Sequence, residues 1–251
     1  MALEPWRKGI VVKIEQQTSN TRRFFIQIPE LEKFDFKPGQ FVTLDLPIHE
    51  KPAKRLRSYS IASWPNGTNT FELCIVLLDG GAGTTYLFNE IKEGSEITLR
   101  GPVGVFTLHE ENLQKELFFI CTGTGIAPFR SMIHYINENN VLHQNIHLIF
   151  GCRKFGDALY ANELKDLMRK EPGFFFHTCY SREEEENLEH LVRIGYVHQV
   201  FEEIINAKKT DNILPEASFF LCGWKNMIDE AKQRIISLGY DKKSIHQELY
   251  G

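Results

Sequence analysis

The hydrophobic pattern of the chain changes near residue 112, and this change constrains the fold more than any other feature. Before it, β-branched and aromatic residues form short runs at 10–14, 23–28, 41–44 and 71–76. Turn dipeptides such as Pro38-Gly39 and Asn66-Gly67 separate these runs. Short runs bounded by turn residues are typical of antiparallel strands. Because the runs are closely spaced, we expect an antiparallel barrel or sandwich over residues 1–110.

After the change, continuous apolar runs alternate with helical segments. The runs at 117–121, 146–150, 174–178 and 218–222 are typical of strands buried on both faces. Between and after them, 126–136, 161–170, 200–207 and 228–238 have helical character, and the last segment ends at Gly239. Alternation of this kind predicts a mostly parallel sheet with helices on both sides. The sequence therefore predicts two domains, an all-β domain over 1–110 and an α/β domain over 111–251.

Composition narrows the class of protein. The chain has 251 residues and a net charge of −4, which disfavours nucleic-acid binding. It has no apolar run of membrane-spanning length and no apolar signal core at its start, so we expect a cytoplasmic protein without membrane insertion. The five cysteines are scattered singly, and their spacing fits neither a zinc site nor an iron–sulfur cluster. No metal is therefore expected, and any metal-centre electron carrier would be a separate protein.

The segment 57–60 combines a cation, a ring and hydroxyls. In a strand, Arg57 and Tyr59 point to one face, and Ser58 and Ser60 to the other. A flavin needs these groups: a cation for its phosphate, a ring against its isoalloxazine or ribityl chain, and a hydroxyl near its reactive nitrogen. The alternative is an edge strand with an exposed arginine and a half-buried tyrosine, because short motifs recur by chance.

Two glycine-rich turns are candidate phosphate sites. The turn C-T-G-T-G-I-A-P at 121–128 joins the first buried strand to its helix. There, backbone N–H groups and the helix N-terminus favour a pyrophosphate. The turn G-G-A-G-T-T-Y-L at 80–87 offers amides and hydroxyls to another phosphate. The alternatives are a tight strand–helix turn without a ligand and a hairpin loop.

A further segment, G-P-V-G-V-F, occupies residues 101–106. Taken in their order along the chain, the segments at 57–60, 80–87, 101–106 and 121–128 resemble those of the ferredoxin–NADP reductase family of flavoproteins. The resemblance runs from Arg57 to Gly251 and is looser before that. It implies an antiparallel β-barrel flavin domain followed by a Rossmann-like parallel-sheet nucleotide domain. It also implies FAD, NADP(H) and a one-electron protein carrier, ferredoxin or flavodoxin. The implied flavin-binding residues are Arg57, Ser58, Tyr59, Ser60, Cys74, Ile75, Val76, Gly81, Gly83 and Thr84, with Thr84 where the family has serine. The implied nucleotide-pyrophosphate residues are Thr122, Gly123, Thr124 and Gly125.

Two further segments resemble the plant-type members of this family. C-G-W-K-N-M begins at Cys222, and the chain ends with Glu248, Leu249, Tyr250 and Gly251. The resemblance implies that Ser60, Cys222, Glu248 and Tyr250 are catalytic, with Tyr250 covering the flavin until nicotinamide displaces it. The extra Gly251 departs from the family ending. The alternatives are a small buried side chain for Cys222 and a frayed terminus for Tyr250.

The choice of nicotinamide nucleotide depends on Ser181 and Arg182, which follow the third strand of the α/β half. They match the family's phosphate-reading Ser-Arg pair, and Arg193 adds a second cation. An arginine at this place accommodates a ribose 2′-phosphate, so the sequence favours NADP(H). The acids Glu183 to Glu186 are unfavourable neighbours for a phosphate, unless they point away at the start of a solvated helix.

A basic run near the flavin segment suggests a partner. Lys51, Lys54, Arg55 and Arg57 cluster with no acid between them, which predicts either a solvated loop or a patch that steers an acidic electron carrier. Two alternative functions remain open. One is an NAD(P)H-dependent reductase of free flavin, an oxygenase or a haem partner. The other is a flavin electron-transfer subunit with no turnover of its own.

Overall fold

The computed structural model describes residues 4–184, 191–211 and 213–250. Glu185, Glu186 and Gly251, which enter the sequence interpretation, lie outside the described residues. The chain divides into two compact units. The first comprises Met1–Thr107 and Ala127–Asn139, and the second comprises Leu108–Ile126 and Asn140–Gly251. No described helix combines the length and the apolar character that crossing a membrane requires.

The first unit is built on a six-stranded antiparallel sheet, in the order β4-β3-β6-β1-β2-β5. The outer strands meet through an antiparallel bridge between Ile61 and Leu73, so the sheet closes on itself. The predicted antiparallel β-barrel is thereby confirmed. Its elements, numbered in chain order, are β1 (Arg7–Thr18), β2 (Thr21–Gln27), β3 (Phe41–Asp45), β4 (Leu56–Ser60), β5 (Thr70–Val76), α1 (Ala82–Asn89) and β6 (Glu96–Val103).

The barrel has its own apolar core, in which Val42, Leu44, Phe71 and Leu73 are buried. Helix α1 was not predicted. It begins in the second glycine-rich turn, for which the sequence left a hairpin loop or a phosphate site open. Its inward face carries Gly83, Thr84 and Leu87, so a small residue and a short polar one face the barrel in place of larger apolar side chains.

The second unit is built on a six-stranded parallel sheet, in the order β10-β9-β8-β7-β11-β12. The predicted parallel sheet with helices is confirmed. Its elements are α2 (Glu110–Leu113), β7 (Glu116–Thr122), β8 (Ile146–Cys152), α4 (Ala161–Lys170), β9 (Phe174–Tyr180), β10 (Val192–Ile194), α5 (Val197–Lys208), β11 (Ala217–Trp224), α6 (Lys225–Ser237) and β12 (Ile245–Tyr250). The strand order reverses at β7. Strands β8, β9 and β10 lie on one side of β7, whereas β11 and β12 lie on the other. Ligands of open parallel sheets bind outside the carboxyl ends of the strands at such a switch point.

Helix α3 (Ala127–Glu138) follows β7 through the 3-10 turn Gly123–Ile126, yet it belongs to the first unit. Its buried face includes Phe129, whose ring centre lies 5.8 Å from that of Phe106. The nucleotide turn of the second unit is therefore joined directly to a helix that packs on the barrel.

Candidate functional site

Strand β4 holds the predicted flavin segment. Ser58 is exposed, and its Oγ lies 3.1 Å from Oγ1 of Thr43 on the neighbouring strand β3. Ser60 is buried, and Tyr59 packs partly buried against the barrel core. Burial raises the pKa of Tyr59 to about 12 against the opposing charge of Arg57. The phenol is therefore neutral at physiological pH and presents an uncharged ring.

Arg57 and the start of α1 meet, although they are far apart in sequence. The guanidinium Nη1 donates hydrogen bonds to the carbonyl oxygens of Lys54 (3.0 Å) and Leu56 (2.7 Å). A Cβ on Gly83 would lie 3.0 Å from Cγ and 3.1 Å from Nε of Arg57. The guanidinium stem thus rests against the backbone at the start of a helix, where cation and helix dipole both favour a phosphate.

The Thr84 hydroxyl shapes the turn that precedes α1. It accepts a hydrogen bond from the backbone N–H of Leu78 (3.1 Å) and donates one to the carbonyl of Gly81 (3.1 Å). Because its single hydrogen is committed to Gly81, the remaining donors at this helix start are the backbone N–H groups of the first turn. Together with Arg57 they form a site that fits the pyrophosphate of FAD.

Strand β5 carries the other flavin candidates. Cys74 and Ile75 are buried, and Val76 is half-buried. Among the strands that the structure describes, only β2 pairs with this stretch, and the second edge of β5 is met at Leu73 by Ile61. The backbone of Ile75 and Val76, beyond this bridge, therefore has an edge that can hydrogen-bond a flat ligand, and Cys74 lies directly before them.

In the second unit, the nucleotide turn lies at the switch point of the sheet. A Cβ on Gly125 would lie 2.4 Å from the carbonyl oxygen of Cys222. Gly223 has a φ of +141°, and a Cβ there would lie 2.6 Å from Oγ1 of Thr122. Only glycine permits this approach of the two strand ends. Within the described part of the chain, Thr122 Oγ1 is buried without a hydrogen-bond partner, which suits a polar ligand at Thr122, Gly123, Thr124 and Gly125.

Three of the four predicted catalytic residues lie on β11 and β12. Cys222 pairs in register with Cys121 on β7 and with Glu248 on β12. Burial raises the pKa of the Cys222 thiol well above its ordinary value, the Glu248 charge adds to this rise, and a hydrogen bond with Tyr250 opposes it. The thiol is therefore protonated and uncharged. The fourth residue, Ser60, belongs to the first unit.

The predicted 2′-phosphate residues lie at the carboxyl end of β9. Both the backbone N–H (3.0 Å) and Oγ (3.3 Å) of Ser181 donate to the carbonyl of Cys152. The backbone N–H of Arg182 donates to the carbonyl of Arg153 (2.9 Å), and both arginines are exposed. Arg193, on β10, pairs in register with Cys179, and its Nε lies 3.8 Å from Oε2 of Glu203. Sequence reasoning missed Arg153, although it follows β8 much as Arg182 follows β9.

The conformation of the first acids after Arg182 differs from the helix start that the sequence suggested. Glu183 and Glu184 are not in a helix. The Glu183 carboxylate accepts a hydrogen bond from the backbone N–H of Phe155 (3.0 Å). This bond holds the carboxylate on the segment that follows β8.

The basic run is partly neutralised. Arg55 Nε lies 2.7 Å from Oδ1 of Asp45, which belongs to β3 and is distant in sequence. Lys51 and Lys54 are exposed, whereas Arg57 is engaged by backbone carbonyls. The cations presented by this loop are therefore chiefly Lys51 and Lys54.

Comparison with known proteins agrees with this architecture. Residues 8–108 match the oxidoreductase FAD-binding domain, and residues 119–233 match the oxidoreductase NAD-binding domain. The fold and the site thus define an oxidoreductase that binds FAD and a nicotinamide nucleotide.

Proteins similar in sequence and structure narrow the class of oxidoreductase. The chain is 32% identical to ferredoxin–NADP reductase B of Sorangium cellulosum, over 98% of both chains. It is 30% identical to the glycine betaine monooxygenase reductase subunit of Pseudomonas aeruginosa, over 96% of this chain and 63% of the relative's length. A crystal structure of a ferredoxin NADP+ reductase from Neisseria gonorrhoeae with bound FAD and NADP superposes with a TM-score of 0.79 at 23% identity, over 97% and 98% of the two chains. The chain belongs to the ferredoxin–NADP reductase-like family of flavoprotein oxidoreductases.

Proposed function

We propose that the protein passes electrons between NADP(H) and a one-electron protein carrier, ferredoxin or flavodoxin, through FAD. The observation that carries the proposal is the register of β11 and β12, which sets Glu248 and Tyr250 beside Cys222 at the switch point. A nearly full-length relative that is a ferredoxin–NADP reductase supports it. The five free cysteines suit a reducing compartment, and we propose a cytoplasmic location.

Residues 1–110 are proposed to bind FAD. Arg57 and the N–H groups at the start of α1, with Gly81, Gly83 and Thr84 shaping the turn, would hold its pyrophosphate. Tyr59 would pack on the flavin, Ser58 and Ser60 would supply hydroxyls, and Cys74, Ile75 and Val76 would offer backbone groups. FAD supplies the chemistry of taking electrons from a nucleotide as a pair and releasing them singly.

Residues 111–251 are proposed to bind NADP(H). The turn at Thr122, Gly123, Thr124 and Gly125 would hold the pyrophosphate. The Cys222 thiol, which burial keeps protonated and uncharged, would lie near the nicotinamide. Glu248 would supply protons, and Tyr250 would cover the site until nicotinamide displaces it.

We propose that Ser181, Arg182 and Arg193 read the 2′-phosphate, with Arg153 as an additional cation. Arg182→Ala should then weaken NADPH binding at least about tenfold, because a charge-assisted contact contributes roughly 1.5–3 kcal/mol. NADH binding should change less than about threefold. Arg169→Ala, an exposed arginine paired with Asp166 on α4, is the matched control and should change neither affinity. Equal losses for both nucleotides in Arg182→Ala would contradict the assignment.

The carrier is proposed to be acidic and to dock near Lys51 and Lys54. The second candidate is an oxygenase reductase, favoured by the glycine betaine monooxygenase reductase relatives, of whose length this chain spans 63%. The test mixes the FAD-loaded protein anaerobically with NADPH or, separately, with NADH, and then with oxidised ferredoxin or flavodoxin at rising salt. Rapid carrier reduction that slows with salt supports the proposal. Rapid flavin reduction with no electron delivery to either carrier would favour the oxygenase or free-flavin alternative. No flavin reduction by either nucleotide would favour a subunit without turnover.

A further inference from the structure

The first unit buries an ion pair whose two members, Arg130 and Glu72, are not among the proposed site residues. Arg130, in the first turns of α3, is 4% exposed, and Glu72, on β5, is 2% exposed. Oppositely charged side chains persist in a barrel only when they are paired, because an unpaired buried charge is strongly destabilising. The pair links residues 58 positions apart in sequence.

Arg130 contacts Glu72, Ala62 and Trp64 of the first unit. Its Nη1 donates to Oε2 of Glu72 (3.1 Å) and to the carbonyl of Ala62 (2.9 Å). Its Cζ lies 5.2 Å from the ring centre of Trp64. Trp64 in turn stacks on His134, one helical turn further along α3, at 4.0 Å between ring centres. The start of α3 is thereby fixed in both position and rotation.

The barrel residues that Arg130 contacts adjoin both proposed flavin segments. Ala62 lies two residues after Ser60, and Glu72 lies two residues before Cys74. These two places are also bonded to each other, because the N–H of Ala62 donates to the carbonyl of Glu72 (2.8 Å). Arg130 therefore sits where β4 and β5 meet at the closure of the barrel.

The nucleotide turn lies directly before α3 in the chain. Helix α3 begins at Ala127, the residue that follows the turn Gly123–Ile126. A helix transmits a constraint along its axis, because each residue is hydrogen-bonded to the next turn. We propose that Arg130 is a positioning residue that fixes the conformation of the nucleotide turn by anchoring the start of α3 to the flavin-binding barrel. The role in nucleotide binding rests on the proposed function.

The chain supplies a matched control. Arg23, on β2, binds the same Glu72 carboxylate through Nε (2.8 Å) and Nη2 (2.7 Å). It also donates to Oε2 of Glu15 (2.7 Å). Arg23 thus belongs to the same charged cluster but lies on a barrel strand and not on α3. A purely structural role predicts similar effects for both arginines, whereas positioning predicts an effect on the turn from Arg130 only.

The test compares Arg130→Met with Arg23→Met in the full-length, FAD-loaded protein by hydrogen exchange and mass spectrometry. Arg130→Met should speed amide exchange in residues 122–126 at least about tenfold, and Arg23→Met less than about twofold. Arg130→Lys, which keeps the charge but fewer donors, should give an intermediate rate. It also serves if Arg130→Met does not fold. Unchanged exchange in the turn, or equal acceleration by both arginine variants, would overturn the proposal.

Nucleotide affinity provides the functional readout. Arg130→Met should raise the Kd for NADP+ at least about fivefold while FAD content stays at the wild-type ratio, and Arg130→Lys should recover part of the loss. An unchanged Kd in Arg130→Met would count against positioning. A wild-type protein that binds neither NADP+ nor NAD+ would instead overturn the proposed function, and the exchange comparison would still decide whether Arg130 fixes the turn.

Discussion

The two units carry candidate binding sites that are built from different groups. The barrel presents side chains, with the Arg57 guanidinium and the Tyr59 ring on one strand. The parallel sheet presents mainly backbone, since Gly125 and Gly223 allow two strand ends to approach more closely than any side chain would permit. Shortening a side chain should therefore weaken ligand binding most in the barrel. Adding a Cβ should weaken it most at the parallel sheet.

The largest effect is expected from Gly125→Ala. The new Cβ would lie 2.4 Å from a backbone oxygen, so the turn must move. Overpacking of this kind costs about 1–3 kcal/mol, and the displaced turn should lower the rate of flavin reduction by NADPH at least about tenfold. Stopped-flow absorbance measures the rate. Gly156→Ala is the control, because its Cβ would meet no atom within 4 Å. Comparable loss in both variants would show that close approach is not the cause.

The next largest effect is expected at the candidate flavin site of the barrel. Arg57→Met removes the guanidinium but keeps much of the apolar stem that lies along Gly83. Removing a charged hydrogen-bond donor costs roughly 1.5–3 kcal/mol, so the Kd for FAD should rise about 10- to 100-fold. NADP+ affinity should be unaffected. Flavin fluorescence during titration of the apoprotein measures binding, and Lys92→Met, an exposed lysine of the same unit, is the control. Normal FAD binding by Arg57→Met would contradict the side-chain account.

A smaller effect is expected on the stability of the second unit at acidic pH. Burial raises the pKa of Glu116, but hydrogen bonds from His147, Lys208 and Asn145 outweigh it and bring the pKa to about 2. A carboxyl whose folded pKa is depressed stabilises the fold above its unfolded pKa and loses that contribution as pH falls. Between about pH 5 and pH 2 the unit should lose roughly 1–2 kcal/mol, after discounting for solvent screening.

Glu116→Gln should flatten this part of the pH profile, measured as the midpoint of urea unfolding at each pH. The control is Glu96→Gln, an exposed partner of Lys8 in the first unit, which should leave the profile as in the wild type. A wild-type slope in Glu116→Gln would show that another group titrates. Burial also lowers the pKa of His147, which adds a loss of stability in the same direction as pH falls.

The smallest effect is expected from Thr84→Ser, which keeps the hydroxyl that bonds Leu78 and Gly81. FAD affinity should change less than about threefold, while Thr84→Val, which loses both bonds, should destabilise the first unit by about 1–2 kcal/mol. Thermal unfolding and FAD titration of the two variants provide the comparison. A large loss of FAD in Thr84→Ser would indicate that the methyl group matters more than the hydroxyl.

Much of the fold followed from periodicity. Strands β1, β2, β3 and β5 and the alternation of the second unit were predicted because turn residues and continuous apolar runs are local signals, whereas β6 was not predicted and β4 was only considered as a possible strand. Helix α1 was missed because its first turn is Ala82-Gly83-Thr84-Thr85, a poor helix sequence that tertiary packing overrides. Strands β10 and β12 were missed because one has three residues and the other alternates half-buried and exposed positions at the edge of the sheet.

The site was predictable where a motif is contiguous and unpredictable where contacts are distant. The contact between Arg57 and Gly83 depends on how α1 packs, which no local pattern reveals. Arg130 and Glu72 are also distant in sequence. The available signal was a glutamate within the apolar run Phe71 to Val76, and an arginine on the apolar side of a helix. Charges at such positions require partners, but the pattern does not identify them.

The most direct test of the account is anaerobic reduction of the FAD-loaded wild-type protein, followed by the visible absorbance of the oxidised flavin. The account predicts rapid bleaching by NADPH and markedly slower bleaching by NADH at equal concentration, because Ser181 and Arg182 are proposed to read the 2′-phosphate. Bleaching by NADH as fast as by NADPH would contradict the nucleotide assignment. No bleaching by either nucleotide would contradict the proposal that the protein passes electrons from a nicotinamide nucleotide to FAD.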